Sequence, residues 1–368
     1  MRNSDSAPSP LDLDSAPESG DLHEMLNVPL RFVQHNFADY IWGGYELYKF
    51  KKIDIRDHHP AVAESWEISG HEKYPSTVTL SNGKEISLPE LLSYPGAAAK
   101  VLGSAAAKRF LNNFPLIIKF FDVQKHMSVQ VHPTDEIARS FGEKDPGKGE
   151  IFIVLDVYPG AEGALYLGLK DGVNRAQFEK ALKGGSNLLD LMHKIHVKKG
   201  EIYELPSGVI HCWTGGTMAV EITEASDLTY RLYDFGRGRP MHYEKGLASI
   251  DFENQSGPVL ENRTRISWKA TQIPGIEKIE TQSEMSVQRI CLNGDMKFIK
   301  SIPAPEKIFD AILCLKGSAV LKSVCGNWKE EVAQGYALLI PSGCSAYDAE
   351  LNGSQNCEFL KISMELNN

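Results

Sequence analysis

The chain has 368 residues, of which 42% are hydrophobic and 24% are charged, and its formal net charge is −9. This length and composition are typical of a globular protein with two or three domains. The negative charge argues against a nucleic acid or an anionic membrane as the main partner. The sequence also lacks a run of about 18 apolar residues, so no membrane-spanning segment is expected.

The N-terminal segment and the cysteines indicate where the protein resides. Residues 1–27 are rich in Ser, Pro and Asp and lack the apolar stretch of a secretory signal, so we expect a flexible tail. None of the six cysteines forms a C-x-x-C pair. We therefore predict reduced, mostly buried thiols rather than a disulfide framework, and a cytoplasmic location.

Short segments rich in β-branched and aromatic residues predict a mainly β protein. They lie at 114–123, 127–133, 150–159, 201–206 and 218–226, each bounded by turn residues. Two further segments, about 88–113 and 174–196, are helical in pattern and are broken by Pro95 and by Gly184-Gly185. The strand spacing is typical of a sandwich or barrel, so we interpret the two helical segments as insertions.

An internal repeat indicates two copies of one β unit. The pattern G-x5-P-x-G-x2-H occupies residues 200–211, and its glycines and proline recur with the same spacing at residues 335–346. The tetrapeptide LPSG of the first copy returns as IPSG in the second. His211 ends the first copy, whereas Ala346 stands at the same step of the second. A duplication explains both similarities.

The repeated pattern resembles the second motif of the cupins. In the pattern, proline fixes φ and glycine supplies a positive φ, which together turn the chain back after a strand. The resemblance implies two cupin-type β-barrels, also called double-stranded β-helices or jelly rolls, with helical insertions. We place a catalytic domain at residues 28–260 and a degenerate domain at residues 261–368, which should hold no metal because it lacks the histidine.

Three separate segments of the first copy carry metal-ligand side chains. Gln130 and His132 are two residues apart on a predicted strand, so both side chains point to one face. Lys148 and Glu150 share a face in the same way, and His211 follows the turn. Two imidazoles, one carboxylate and one amide oxygen suit Zn²⁺, and also Fe²⁺ or Mn²⁺.

A set of motifs resembles the type I phosphomannose isomerases in their short bacterial form. The motifs follow the order of that family and include Q-V-H-P, K-x-E and P-S-G-x-x-H. They are WGG (42–44), ESWEIS (64–69), PLIIKFFDV (115–123), SVQVHPTD (128–135), GKGEIFIVLD (147–156), LPSGVIHCW (205–213) and SDLTYRLYDFGR (226–237).

This resemblance implies an enzyme that interconverts mannose 6-phosphate and fructose 6-phosphate. It implies one Zn²⁺ per chain, held by Gln130, His132, Glu150 and His211. Further site residues implied are Lys119, Asp227 and Arg231 for substrate binding and Lys148 and Arg231 for catalysis. The expected partner is a small sugar phosphate.

The proton-transferring base is open at this point. Moving a proton between C1 and C2 passes through an enediol, which needs stabilised oxygen charge and a base. Lys148 beside a metal ion would have a lowered pKa and act as the base in its neutral form. A lysine that merely holds the phosphate and a base formed by a water on the metal are the alternatives.

Several other functions remain compatible with the cupin pattern. A non-catalytic sugar-binding or regulatory cupin would lack a ligand or a charged site residue, and none is missing. A metal-dependent oxygenase is disfavoured by the Gln130 ligand and by the cations Lys119, Lys148 and Arg231, which suit an anionic substrate. An isomerase for another sugar or sugar phosphate is hardly excluded. Oligomeric state is not encoded in any of these patterns.

Overall fold

The computed structural model describes residues 26–32, 36–55, 59–79, 83–303, 308–344 and 346–366. The predicted N-terminal tail lies outside these residues except at its last two positions. Strands dominate, with 38% of residues against 18% in helices, which confirms the mainly β class.

The strands of the described residues are β1 (Leu30–Arg31), β2 (Phe37–Ala38), β3 (Glu64–Ser69), β4 (Thr77–Thr79), β5 (Glu85–Ser87), β6 (Leu116–Val123), β7 (Val129–Val131), β8 (Glu150–Val157), β9 (Ala164–Leu169), β10 (Met192–His196), β11 (Ile202–Leu205), β12 (His211–Trp213), β13 (Thr217–Glu224), β14 (Tyr230–Tyr233), β15 (Arg265–Ile266), β16 (Lys269–Ala270), β17 (Ile276–Lys278), β18 (Met285–Leu292), β19 (Phe298–Ile302), β20 (Asp310–Lys316), β21 (Ser318–Ser323), β22 (Lys329–Ala333), β23 (Ala337–Ile340), β24 (Tyr347–Leu351) and β25 (Cys357–Met364).

Two sheets form the first unit. Sheet I has the order β15-β11-β8-β13-β6-β3-β2, and sheet II has the order β10-β9-β12-β7-β14. Their facing sides share one apolar cluster, which includes Phe121 and Phe152 from sheet I and Leu165 and Trp213 from sheet II. The rings of Phe152 and Trp213 are 5.1 Å apart. The first unit is thus a two-sheet sandwich of the jelly-roll kind.

Two further sheets form the second unit in the same way. Sheet III has the order β1-β23-β20-β25-β18-β17-β16, and sheet IV has the order β19-β24-β21-β22. Ile312 and Phe359 of sheet III and Leu321 and Ala349 of sheet IV belong to one buried cluster. In the described residues neither unit closes into a continuous barrel. Strand β1, from the predicted first domain, pairs with β23 of the second unit.

The two units join through the backs of sheets I and III. Ile118, Phe120 and Val220 of sheet I lie in the same buried cluster as Leu313 and Ile362 of sheet III. Because side chains alternate along a strand, Lys119 and Phe121 point to the opposite side, into the first sandwich. Strand β6 thereby contributes side chains both to the contact between the two units and to the interior of the first sandwich.

Helices connect the sheets and differ in part from the prediction. The α-helices span Glu46–Phe50, Leu88–Ser93, Ala97–Leu102, Ser104–Arg109, Asp135–Ser140, Arg175–Lys183, Tyr243–Ser249 and Gly257–Thr264, and 3-10 helices span Leu188–Leu191 and Phe252–Asn254. The predicted 88–113 segment is three short helices, with breaks at Pro95 and Gly103. The prediction of helix up to residue 196 is wrong after Leu191, because β10 pairs there with β9.

The repeat is present in the sheets, but its last position was misassigned. His211 is the first residue of β12 and pairs with Gln130 of β7. In the second unit, Tyr347 is the first residue of β24 and pairs with Ile302 of β19. Tyr347 is therefore the counterpart of His211. One additional residue after the second turn shifts Ala346 out of that place.

The six cysteines are all free thiols. Four of them, Cys212, Cys314, Cys344 and Cys357, are buried, as the sequence predicted. In the part of the chain that the structure describes, none of the helices has the length and apolar character needed to cross a bilayer.

Candidate metal centre and active site

Strand β7 brings two predicted ligands to the interior of the first sandwich. Val129 and Val131 are fully buried on the outer side, which directs Gln130 inward. Gln130 lies between His211 of β12 and Arg231 of β14 in the strand register. His132 follows directly after the strand and is 2% exposed. Sheet II therefore brings four polar side chains close together, namely those of Gln130, His132, His211 and Arg231.

Glu150 approaches the same point from the opposite sheet. Glu150 is the first residue of β8 and pairs with Leu205, which directly precedes the proline turn of the first repeat. Its Oε1 lies 3.1 Å from His132 Nε2, and its Oε2 lies 3.7 Å from His211 Nε2. The ligand atoms of His132, Glu150 and His211 all lie within 4.8 Å of one another. This cluster could hold a metal ion.

Backbone carbonyls fix the orientation of both imidazoles. Nδ1 of His132 lies 2.9 Å from the Leu228 carbonyl oxygen, and Nδ1 of His211 lies 3.1 Å from the Val209 carbonyl oxygen. With Nδ1–H donating to these oxygens, Nε2 of each ring carries the lone pair that faces the cluster. This second layer of hydrogen bonds is typical of metal-binding histidines.

Two buried atoms of the cluster lack hydrogen-bond partners among the described residues, namely His132 Nε2 and Glu150 Oε2. Such atoms are costly to bury unless a ligand engages them. Burial, together with the nearby His132, lowers the pKa of His211 to about 4, so its ring is neutral near pH 7. Burial opposes the charge of Glu150, but His132 and Lys148 outweigh it and hold the pKa well below the usual range. A neutral imidazole, as in His211, and a carboxylate are states that bind a cation.

Gln130 can serve as a fourth ligand. Its Nε2 lies 3.3 Å from His211 Nε2, and its Oε1 accepts a hydrogen bond of 2.9 Å from Ser128. The two ends of an amide have nearly the same shape. Rotating the amide by half a turn presents oxygen to the cluster and lets Nε2 donate to Ser128.

Lys148 contacts the cluster, and its pKa is raised rather than lowered in this environment. Its Nζ lies 2.9 Å from Glu150 Oε1, and the side chain is 3% exposed. Burial lowers the pKa of Lys148, but the carboxylates of Glu150 and Glu221 outweigh this and raise it above its usual value. The prediction of a lowered pKa concerns Lys148 beside a metal ion and stays a prediction. Without the ion, the carboxylates of Glu150 and Glu221 act in the opposite direction.

Lys119 is held by carboxylates rather than left free for a substrate. Its Nζ lies 3.1 Å from Glu221 and 3.6 Å from Glu64, and it stands 4.3 Å from the centre of the Trp66 ring. Burial raises the pKa of Glu221 to about 7, with Lys119 acting in the opposite direction. Glu64 and Glu221 were missed, although both occupy alternate positions of buried strands.

Arg231 retains unused hydrogen-bond donors. One terminal nitrogen donates to the Pro240 carbonyl oxygen at 3.0 Å, and the buried Nε has no partner among the described residues. Asp234, three residues after Arg231, is paired with Arg237 and Arg239 instead. Within the described chain, no carboxylate forms an ion pair with Arg231.

Asp227 is paired with a residue that the sequence did not suggest. Its Oδ2 accepts a hydrogen bond of 2.6 Å from Lys73, whose Nζ also donates to the Tyr40 hydroxyl at 2.7 Å. Asp227 therefore does not orient Arg231. Lys73 comes from the loop after β3, and no periodic pattern marks such a loop residue in the sequence.

Gln130, Glu150 and most of the charged side chains described above line one cavity between sheets I and II. Five cations and four carboxylates border it together with polar and aromatic groups. The lining residues are Tyr40, Trp42, Glu64, Lys73, Lys119, Phe121, Met127, Ser128, Gln130, Lys148, Glu150, Glu221, Asp227, Thr229, Arg231 and Arg239. Lys119, Lys148 and the ligand cluster are buried, whereas Lys73, Asp227, Arg231 and Arg239 lie nearer the solvent.

Comparison with known proteins agrees with this geometry. Residues 30–150 match the family model of the phosphomannose isomerase type I catalytic domain. The mannose-6-phosphate isomerase ManA of Bacillus subtilis is 29% identical over 339 residues, which cover 90% of this chain and 98% of the relative. A mannose-6-phosphate isomerase of Streptococcus mutans is 32% identical over 222 residues, or 59% of this chain and 66% of the relative.

The fold is shared as well. The crystal structure of the mannose 6-phosphate isomerase from Bacillus subtilis superposes with a TM-score of 0.75 at 25% identity, covering 91% of this chain and 99% of that one. A putative mannosephosphate isomerase from Archaeoglobus fulgidus has the same fold, with a TM-score of 0.73 at 21% identity over 92% and 98% of the two chains. Motifs, matched sequence and fold agree, and the chain belongs to the type I phosphomannose isomerases.

Proposed function

We propose that the protein interconverts mannose 6-phosphate and fructose 6-phosphate through an enediol and depends on zinc. The observation that carries this proposal is the arrangement of one cavity. Gln130 and Glu150 line its buried part, Glu150 belongs to the buried cluster with His132 and His211, and Arg231 lies nearer the cavity mouth with donors to spare. The relatives named for this reaction support the same assignment.

In the proposal, Gln130, His132, Glu150 and His211 hold one Zn²⁺. Nitrogen and oxygen donors with room for a further ligand suit a catalytic zinc site. When bound, the ion supplies positive charge that stabilises negative oxygen on the substrate. Ser128 orients Gln130, and the carbonyls of Val209 and Leu228 orient the two imidazoles.

We assign the proton transfer to Lys148. Its ammonium group lies beside Glu150 inside the cavity, with Glu221 as a second carboxylate neighbour. These carboxylates favour the charged form of Lys148, so its neutral form is the minor one. In the neutral form Lys148 takes the proton from C2 of mannose 6-phosphate, and the ammonium group that results gives a proton to C1 of the enediol. The hydroxyl proton of O2 passes to O1, which completes the exchange.

Arg231 is the proposed contact for the phosphate. A planar guanidinium group can bind two phosphate oxygens at once. Asp227 would accept a hydrogen bond from a sugar hydroxyl, held in place by Lys73. Lys119 adds a cation to the cavity wall and keeps Glu221 and Glu64 from repelling the substrate.

The direct test is an isomerase assay with purified protein. We expect conversion of mannose 6-phosphate to fructose 6-phosphate, loss of activity after chelator treatment and recovery with added Zn²⁺. Metal analysis should give one zinc per chain. Full activity in metal-stripped protein would refute the metal dependence, and absence of turnover with bound zinc would favour a sugar-binding cupin.

The same assay separates the second candidate, an isomerase for another sugar. Free mannose and other aldose 6-phosphates serve as competing substrates. If Arg231 binds phosphate, free mannose should react far more slowly than its 6-phosphate. Equal kcat/KM values for both would rule out the phosphate assignment.

A further inference from the structure

The second unit retains a counterpart of the ligand Glu150. In the first unit, Leu205 precedes the proline turn and pairs with Glu150. In the second unit, Ile340 stands at the same step of the repeat and pairs with Asp310. The two pairings are equivalent by strand register, so a carboxylate occupies the same position in both sandwiches.

Two more positions of the site have counterparts. Tyr347 begins β24 as His211 begins β12, and it is fully buried. Glu221 of the central strand pairs with Phe152, two residues after Glu150. Lys361 of the equivalent strand pairs with Ile312, two residues after Asp310. Lys361 therefore replaces a carboxylate with an ammonium group at the corresponding point.

These three side chains meet inside the second sandwich. Lys361 Nζ lies 3.3 Å from Asp310 Oδ1, with side-chain exposures of 8% and 1%. The Tyr347 hydroxyl and both Asp310 carboxylate oxygens are buried, and Lys361 and then Tyr347 are the groups that act on the carboxylate. An isolated buried carboxylate is costly, so this one depends on a nearby positive charge.

We infer that the second unit contains the remnant of a metal site, in which the Lys361 ammonium group is a built-in cation for Asp310. The positive charge that Asp310 needs comes from the chain itself, at the position that Glu221 has in the first unit. The charge of Asp310 is thus balanced in the second unit without a metal ion. This inference is independent of the substrate assigned to the first unit.

Chemical rescue tests this assignment. Lys361→Ala retains Cβ and removes a fragment that n-propylammonium reproduces in length and charge. The thermal midpoint of the variant is measured with n-propylammonium chloride, with sodium chloride and with the neutral analogue n-propanol. Burial raises the pKa of Asp310 to about 7, so the buffer is set well above that pH.

We expect Lys361→Ala to lower the midpoint by roughly 5–10 °C, as the loss of one partner of a buried ion pair does. n-Propylammonium should recover at least half of the loss, whereas sodium chloride and n-propanol should not. In Asp310→Asn/Lys361→Ala, the preference for the charged amine over n-propanol should disappear. The first unit should still bind one zinc.

Three results would each overturn the inference. They are an unchanged midpoint in Lys361→Ala, equal rescue by n-propanol, and equal rescue of the variant that lacks the Asp310 carboxylate. If Lys361→Ala does not fold, the apolar pair Asp310→Leu/Lys361→Met replaces it. That double variant should be more stable than Asp310→Leu or Lys361→Met alone, and a double variant no better than both singles would contradict a dedicated ion pair.

Discussion

Arg231 is the residue on which recognition of a phosphate ester depends in our proposal. Its Nε is buried without a partner and the neighbouring Asp234 is occupied by other arginines. We predict that Arg231→Lys raises KM for mannose 6-phosphate about 10- to 100-fold, because a lysine gives one point contact where arginine gives two. Steady-state kinetics measures this, with kcat expected to fall less than KM rises.

Arg175→Lys is the matched control for this substitution. Arg175 pairs with Glu179 on an exposed helix face, with 57% of its side chain exposed. The control should leave KM unchanged. An unchanged KM in Arg231→Lys as well would remove the phosphate assignment.

Ser128 is expected to affect the affinity for the metal indirectly, through Gln130. Its hydroxyl contacts the Gln130 amide and can do so at either end of the amide, so it holds the Gln130 side chain in place beside the cluster. We predict that Ser128→Ala weakens Zn²⁺ affinity by about 10- to 100-fold, as the loss of such a supporting hydrogen bond does. Competition with a chromophoric chelator measures the affinity. Ser93→Ala, on an exposed helix, is the control, and equal affinity in both variants would contradict a role for Ser128.

At the scale of elements, the turn between β11 and β12 holds the site together. Gly208 has φ +85°, and its amide donates to the His132 carbonyl oxygen at 2.8 Å. A Cβ added there would lie 3.1 Å from the Ser249 carbonyl oxygen. The turn thereby links the position of His211 to the end of β7, where His132 lies.

We predict that Gly208→Ala destabilises the protein by roughly 1–2 kcal/mol, because a residue with Cβ is strained at positive φ, and that it weakens zinc binding. Urea unfolding and metal titration measure the two effects. The repeat supplies the control: at Gly343, φ is not positive and an added Cβ would meet open space. Gly343→Ala should change neither quantity, and equal effects at both glycines would disprove the explanation.

The elements also show what the sequence could predict. Strand parity correctly placed Gln130 and Glu150 in the interior, because alternation is a local property of the backbone. It could not place Lys73, which lies in a loop, nor identify Glu221 as the second carboxylate, after Glu150, that raises the pKa of Lys148. Those relations depend on which strands become neighbours. The assignment of Ala346 failed since one added residue reverses the side-chain alternation.

At the scale of the whole molecule, a buried lysine connects the two units. Lys51 Nζ lies 2.5 Å from Glu67 of sheet I and donates to the carbonyl oxygen of Gly335, the first residue of the second copy of the repeat, at 2.7 Å. We predict that Lys51→Met destabilises the protein by about 3–5 kcal/mol, because Glu67 is left buried without its partner. Denaturant unfolding measures the loss.

Lys49 provides the comparison, since its pair with Glu46 leaves 67% of the lysine side chain exposed. Lys49→Met should cost about 0–1 kcal/mol. If Lys51→Met cost no more than this, the buried connection would have no role in holding the units together.

Strands β6 and β8 carry the site on one face and the joint between the units on the other. Glu150 points into the cavity while its neighbour Ile151 packs toward the second unit, and Lys119 and Phe120 divide in the same way. No layer of protein separates the two faces. Metal binding should therefore depend on the contact between the two units. A substitution that weakens the packing of sheet I against sheet III, far from any ligand, is expected to lower the temperature at which the metal is released.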